Sequence, residues 1–217
     1  MVAVRFRAVL FDMDNTLHNL TAARACAIDA VTEWCNDAGG SLHYYFLNTD
    51  TPSLAEESLQ QYLADLGMYS PDTIQACSWL YHAVERHGLE LIPGIEQLLR
   101  DLKGAGVRLA VISNAPGDQT RYRLKELGLT GYFDLVVTPE TFGIKKPHPD
   151  VYLKTLACLD VAPKDAAMIG DKRNRDVIPP REVGIYGIHA AYGSMEKADP
   201  VAADTPAEIL DLLRHPV

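Results

Sequence analysis

Two aspartates stand two positions apart in Phe11-Asp12-Met13-Asp14-Asn15-Thr16-Leu17, directly after the apolar run Ala8 to Phe11. If that run is a β-strand and continues, both carboxylates lie on one face. Their repulsion then raises the pKa of one of them unless a cation or a lysine intervenes. Standing alone, such a pair is better explained by a turn rich in Asp and Asn, which is common. Three later segments change that balance. Ser113 and Asn114 close the run Leu109 to Ser113, and Lys145-Lys146-Pro147 follows Leu135 to Thr138. Gly170-Asp171, with Asp176 five residues on, closes Ala166 to Gly170. Brought together, these acids, amide, hydroxyl and lysine suit acid–base and cation-assisted chemistry.

The elements that must position them are short. Ala8–Phe11, Leu109–Ser113, Leu135–Thr138, Ala166–Gly170 and Tyr186–Ala190 are bounded by turn or polar residues and are too short for helices, so they read as buried strands. Between most of them lie amphipathic segments. Ile95, Leu98, Leu99 and Leu102 share one helical face, and Gly104 can end that helix. Tyr122 to Leu127 is the body of another, ended by Gly128. Pro149 suits the first turn of a helix through Leu159, and Thr205, Pro206 and Glu208 make a capping-box start for the last one. Strands alternating with helices imply an α/β fold, a Rossmann-like three-layer sandwich around a central parallel sheet. In such sheets ligands bind at the carboxyl ends of the strands, where chain order switches direction. The polar strand-end residues therefore converge on one crevice.

Residues 18 to 90 contain no buried strand. Thr21 opens a helix that can run to Gly39. Ser53 with Glu56 is a capping box before Leu59, Tyr62, Leu63 and Leu66, and Ser70-Pro71 opens a helix ending near Gly88. This is an all-helical insertion, so the expected division is a core of residues 1–17 and 91–217 and a helical domain of 18–90.

In order and spacing, FDMDNTL, VISNA, IKKPHPDVY and MIGDKRNRD resemble the four motifs of the haloacid dehalogenase-like superfamily. The helical insertion is similar to its C1-type cap. The resemblance implies a phosphatase. Asp12 would be the nucleophile that forms an aspartyl-phosphate, and Asp14 the general acid and then base. It implies Mg2+ on the Asp12 carboxylate, the Asp14 backbone carbonyl and the Asp171 carboxylate. Ser113 and Asn114 would contact the phosphoryl group, as would backbone N–H groups around Met13. Lys146, immediately before Pro147, would hold Asp12 and the phosphate as a point charge, with Lys145 left in solvent. Asp176 would support the metal's water or Lys146. Lys172, Arg173 and Arg175 fit the motif less neatly; they read as solvated charges, or one of them meets a second anionic group on the substrate. Pro179-Pro180 require the next helix to begin at or just before them. A cap of this kind closes over the crevice, with His18 and Asn19 at the hinge. Arg24 then reads mainly as a solvated helix charge and alternatively as a substrate contact. His43-Tyr44-Tyr45-Phe46 reads mainly as cap packing and alternatively as an apolar wall for the substrate.

The chain has 217 residues and a formal net charge of −9, which excludes nucleic-acid binding through a general basic surface. No apolar run reaches the roughly 20 residues of a membrane span. Cys26, Cys35, Cys77 and Cys158 form no CxxC pair, read as reduced buried thiols and suggest a cytoplasmic protein. A small-molecule phosphate ester is the expected partner, acted on by a monomer or homodimer. A phosphomutase stays open. A 2-haloacid dehalogenase is disfavoured because Asp14 supplies an acid that reaction does not need, and a non-catalytic binding module is disfavoured because every motif side chain is present.

Overall fold

The computed structural model describes residues 4–40, 42–43 and 56–216. They fall into two compact units, one running to Asn19 and again from Glu90, the other spanning Leu20–Leu89.

The first unit is built on a parallel sheet. Its strands are β1 (Ala8–Phe11), β2 (Arg108–Ile112), β3 (Leu135–Val137), β4 (Ala166–Gly170), β5 (Tyr186–Ala190) and β6 (Ala202–Ala203), in the order β3-β2-β1-β4-β5-β6. Residues of β1 alternate between two cores. Val9 and Phe11 join Leu109, Val111, Ala167 and Ile169 on one face, while Ala8 and Leu10 join Ala110, Ile112, Ala166 and Met168 on the other. Burial on both faces is why these strands read as continuous apolar runs. Helix α4 (Ile95–Gly104) covers the first face with Ile95, Leu98, Leu99 and Leu102, joined by Ile209 and Leu213 of α9 (Pro206–Arg214). Helix α7 (Pro149–Leu159) covers the second with Val151, Tyr152, Leu156 and Leu159. The Thr205 hydroxyl caps α9 by accepting from the Glu208 N–H.

The second unit holds α1 (Leu20–Trp34), α2 (Glu56–Asp65) and α3 (Pro71–His87). Helices α1 and α3 pack together, and Ala27, Ile28, Val31, Leu59, Tyr62, Leu63, Cys77 and Tyr81 form a separate core. Arg24 pairs with Glu85 at 3.1 Å, so the charge expected in solvent is held by the neighbouring helix.

Several boundaries differ from expectation. Helix α1 stops at Trp34, well short of Gly39, and Asn36 just beyond it takes a left-handed φ of 54°. Helix α5 (Gly117–Glu126) begins earlier than Tyr122, with Asp118 in its first turn favouring the positive end of the helix dipole. Strands β2 and β3 end one residue early, leaving Ser113 and Thr138 just past them; Thr138 instead caps the short helix α6 (Pro139–Phe142). Helix α8 (Ile178–Glu182) does open at the prolines. Cys35 and Cys77 are buried, but Cys26 and Cys158 lie on exposed helix faces; all four are free thiols. Ser53 and Tyr44 to Phe46 lie outside the described residues.

Candidate active site

The sheet order places β1 between β2 and β4, so the order in which the parallel strands are laid down switches side at β1, and the carboxyl end of β1 is where sheets of this kind take ligands. Asp12 is the next residue. Its N–H continues the ladder by donating to the Ile169 carbonyl at 2.8 Å, and the residue is 3% exposed.

Lys146 enters from the segment after α6. Its ammonium lies 2.5 Å from Asp12 Oδ1 and 2.7 Å from Asp176 Oδ1, and the residue is buried while Lys145 is exposed. Asn114 fixes the Lys146 main chain from both sides: its Nδ2 donates to the Lys146 carbonyl and its Oδ1 accepts from the Lys146 N–H, each at 2.9 Å. The sequence placed Asn114 on the substrate; the structure engages both ends of its amide with Lys146. Ser113 Oγ accepts from the Ala115 N–H at 3.1 Å. Met13 buries its side chain in the core, and its carbonyl accepts from the Leu17 N–H at 2.9 Å.

Asp171 follows β4, and a π-helical turn over Arg173–Val177 folds Asp176 back onto the strand end. Gly170 makes this possible, because a Cβ there would fall 2.3 Å from Asp176 Cβ. Carboxylate oxygens of Asp12, Asp171 and Asp176 lie within 4.8 Å of one another, all buried. Burial and the Asp176 charge raise the Asp12 pKa, with Lys146 and Arg175 opposing. Burial, then Asp12 and Asp176, push Asp171 up to about 8. A cluster with this excess of negative charge, built of hard oxygen donors, suits a cation such as Mg2+. Both Asp176 oxygens already have donors, Lys146 on one and the Lys172 N–H on the other.

The basic residues of this turn are not simply solvated. Arg173 pairs with Asp199 at 3.3 Å, and Arg175 reaches into the acid cluster. His189 on β5 braces Asp171 from beneath. Its Nδ1 accepts from the Asp199 N–H at 3.2 Å, so its Nε2–H is the donor to the Asp171 carbonyl at 3.1 Å.

Asp14 has different neighbours. Its Oδ1 accepts from His18 Nε2 at 3.0 Å and from Arg123 Nη1 at 2.9 Å. Both donors are buried, while the Asp14 side chain is 27% exposed. The loop after β5 closes onto this turn: a Cβ at Gly193 would fall 1.6 Å from the Asn15 carbonyl oxygen, and the Tyr192 hydroxyl donates to the Thr16 carbonyl at 3.0 Å. Sequence reasoning missed Arg123. The available signal was its position: Thr120, Arg123, Leu124 and Leu127 share one helical face, and Arg123 takes an inward place on it.

The sheet, the strand-end acids and the buried lysine define a class, and the sequence comparisons agree with it. The profile of the haloacid dehalogenase-like hydrolases matches residues 9–190, and the chain belongs to that family. Among its relatives is the glyceraldehyde 3-phosphate phosphatase of Methanocaldococcus jannaschii, 26% identical over 195 residues and covering 86% of each chain. Phosphoglycolate phosphatase 1 of Pseudomonas aeruginosa is 28% identical over 212 residues, 96% of this chain and 77% of that one. In fold, the crystal structure of a putative β-phosphoglucomutase from Thermotoga maritima is similar with a TM-score of 0.79 at 22% identity, covering 97% of this chain and 100% of the other. Among the described residues no helix is long and apolar enough to cross a membrane.

Proposed function

We propose that this hydrolase cleaves a small-molecule phosphate monoester through an aspartyl-phosphate on Asp12. The observation that carries the reading is the buried Asp12 carboxylate held at 2.5 Å by the Lys146 ammonium at the switch point of the sheet. Lysine in that position keeps the carboxylate ionised and aimed, and offsets the charge of an incoming phosphate.

Asp12 attacks phosphorus, the phosphorus–oxygen ester bond breaks, and Asp14 delivers a proton to the departing alkoxide. Arg123 and His18 both donate to Asp14 Oδ1, which holds the carboxyl group in place for that transfer. In the second half, Asp14 takes a proton from water as that water attacks the phosphoryl group, which releases phosphate and regenerates Asp12. Asp12 and Asp171, with the Asp14 carbonyl, would hold Mg2+, which supplies charge neutralisation for the transferring group when bound. Asp176 holds Lys146, Asn114 positions it, and the Ser113 hydroxyl donates to a phosphoryl oxygen. In this reading the helical unit serves as a cap that selects the substrate.

Relatives named for glyceraldehyde 3-phosphate and phosphoglycolate place small phosphorylated carbon acids and aldehydes first in a substrate panel. Purified protein should release phosphate from p-nitrophenyl phosphate and from members of that panel only with magnesium. Halide release from 2-haloacids without phosphate release would replace this reading with dehalogenation, and inertness across the panel would remove it.

A further inference from the structure

One side chain of the acid cluster has no part in the chemistry above. Arg175 Nη2 stands 3.0 Å from Asp12 Oδ2, 3.3 Å from Asp171 Oδ1 and 3.2 Å from Asp176 Oδ2. Its main chain is tied down as well, since the Tyr152 hydroxyl donates to the Arg175 carbonyl. A single guanidinium nitrogen thus sits among three buried carboxylates, the position expected of a cation.

Lys146 already takes Asp12 Oδ1. Asp12 Oδ2 is the oxygen left to a metal, and it is the oxygen Arg175 holds. The second proposed metal carboxylate, Asp171, is held by the same nitrogen. Magnesium binds its oxygens at about 2.0–2.1 Å, and the guanidinium nitrogen that bridges Asp12 Oδ2 and Asp171 Oδ1 stands where an ion shared by those two oxygens would sit. The two cations would also repel at close range in a poorly solvated site. The side chains differ in their freedom to leave: Lys146 is 0% exposed and Arg175 is 28% exposed. Arg175 has a route to solvent that Lys146 lacks.

We propose that Arg175 is a resident counter-cation of the Asp12–Asp171–Asp176 cluster, displaced when the divalent metal binds, so that it sets the metal concentration at which the site loads. The proposal rests on reading these acids as the metal site. Without metal, Arg175 adds to Lys146 a second positive charge among the three carboxylates, and it is the one that reaches Asp12, Asp171 and Asp176 together. On loading, the metal takes over Asp12 and Asp171, and the guanidinium turns outward. The cost of breaking its contacts is subtracted from metal affinity.

The test uses the full chain, no substrate, and Mn2+, an oxygen-seeking paramagnetic stand-in for Mg2+ whose free form is counted by electron paramagnetic resonance. Arg175→Met should bind Mn2+ about tenfold more tightly than the parent, because the metal no longer displaces a charged contact. Arg175→Lys, which keeps a charge but cannot bridge three carboxylates, should fall between them. Metal-free Arg175→Met should also melt below the parent, with the gap closing at saturating Mn2+. Unchanged or weaker Mn2+ binding in both variants would overturn the proposal while leaving the metal site itself in place. Absence of Mn2+ binding in every chain would overturn both the proposal and the metal reading. The predicted order of affinities in a protein that hydrolyses no phosphate ester would support the proposal and remove only the phosphatase reading.

Discussion

Asp12 and Asp14 are the same residue type two positions apart on one turn, and the fold gives them opposite surroundings. Asp12 is sealed among two other carboxylates and two cations, where its charge is a structural problem that Lys146 and Arg175 answer. Asp14 is partly exposed and faces Arg123 and His18. A buried carboxylate stripped of water and aimed by lysine suits attack on phosphorus; a carboxylate at the rim, with one oxygen fixed, suits carrying protons to and from solvent. The two proposed roles rest on that difference of environment, where the sequence offers only two identical letters.

The comparison can be broken most severely at Lys146. Lys146→Met leaves Asp12 and Asp176 buried without their shared cation, so we expect turnover to vanish and stability to fall by about 3–5 kcal/mol in chemical denaturation. A fully folded, active variant would show that Asp12 does not need the lysine. Next comes Asp14→Asn. It should lower kcat by about 10²–10⁴-fold on an alkyl phosphate, whose alkoxide needs a proton, and by far less on p-nitrophenyl phosphate, whose leaving group does not. Equal losses on both substrates would take the acid role from Asp14. Arg123→Gln should repeat that leaving-group pattern at about a tenfold level, since it loosens Asp14 without removing it.

The smallest effect concerns stability and pH in the metal-free protein. Asp171 has an ordinary pKa of 3.8 and is pushed up to about 8 in the fold. Between those values the folded chain binds a proton that the unfolded chain has released. Stability should therefore fall as pH rises from about 4 to about 8. Asp171→Asn should flatten that slope in thermal melts, and saturating metal should do the same in the parent chain.

Much of this site was legible because its residues sit at strand ends, and short apolar runs mark strand ends well. Asp12, Ser113 and Asp171 each directly follow such a run, and Lys146 follows the third run after the short helix α6, so their convergence could be argued before any coordinate. What escaped were contacts set by side-chain reach. Arg175 is one letter in a basic stretch that looks solvated, and only the π-helical turn reveals that it points at three acids. Arg123 hid on the inward face of an otherwise polar helix. Asn114 reads as a ligand-facing amide, yet the main chain of Lys146 satisfies both its ends. Strand β6 has two residues, too few to carry a pattern. Cys26 and Cys158 were expected inside because their stretches are apolar, but each falls on the outer side of its helix.

The central claim is that Asp12 carries the phosphoryl group. Protein quenched during magnesium-dependent turnover of its best phosphate ester, reduced with borohydride and mapped by peptide mass spectrometry, tests it directly, because an acyl-phosphate is reduced and a free carboxylate is not. The account predicts reduction at Asp12 alone, lost when substrate is omitted and lost in Asp12→Asn together with turnover. Reduction at another carboxylate, or turnover that persists in Asp12→Asn, would contradict it.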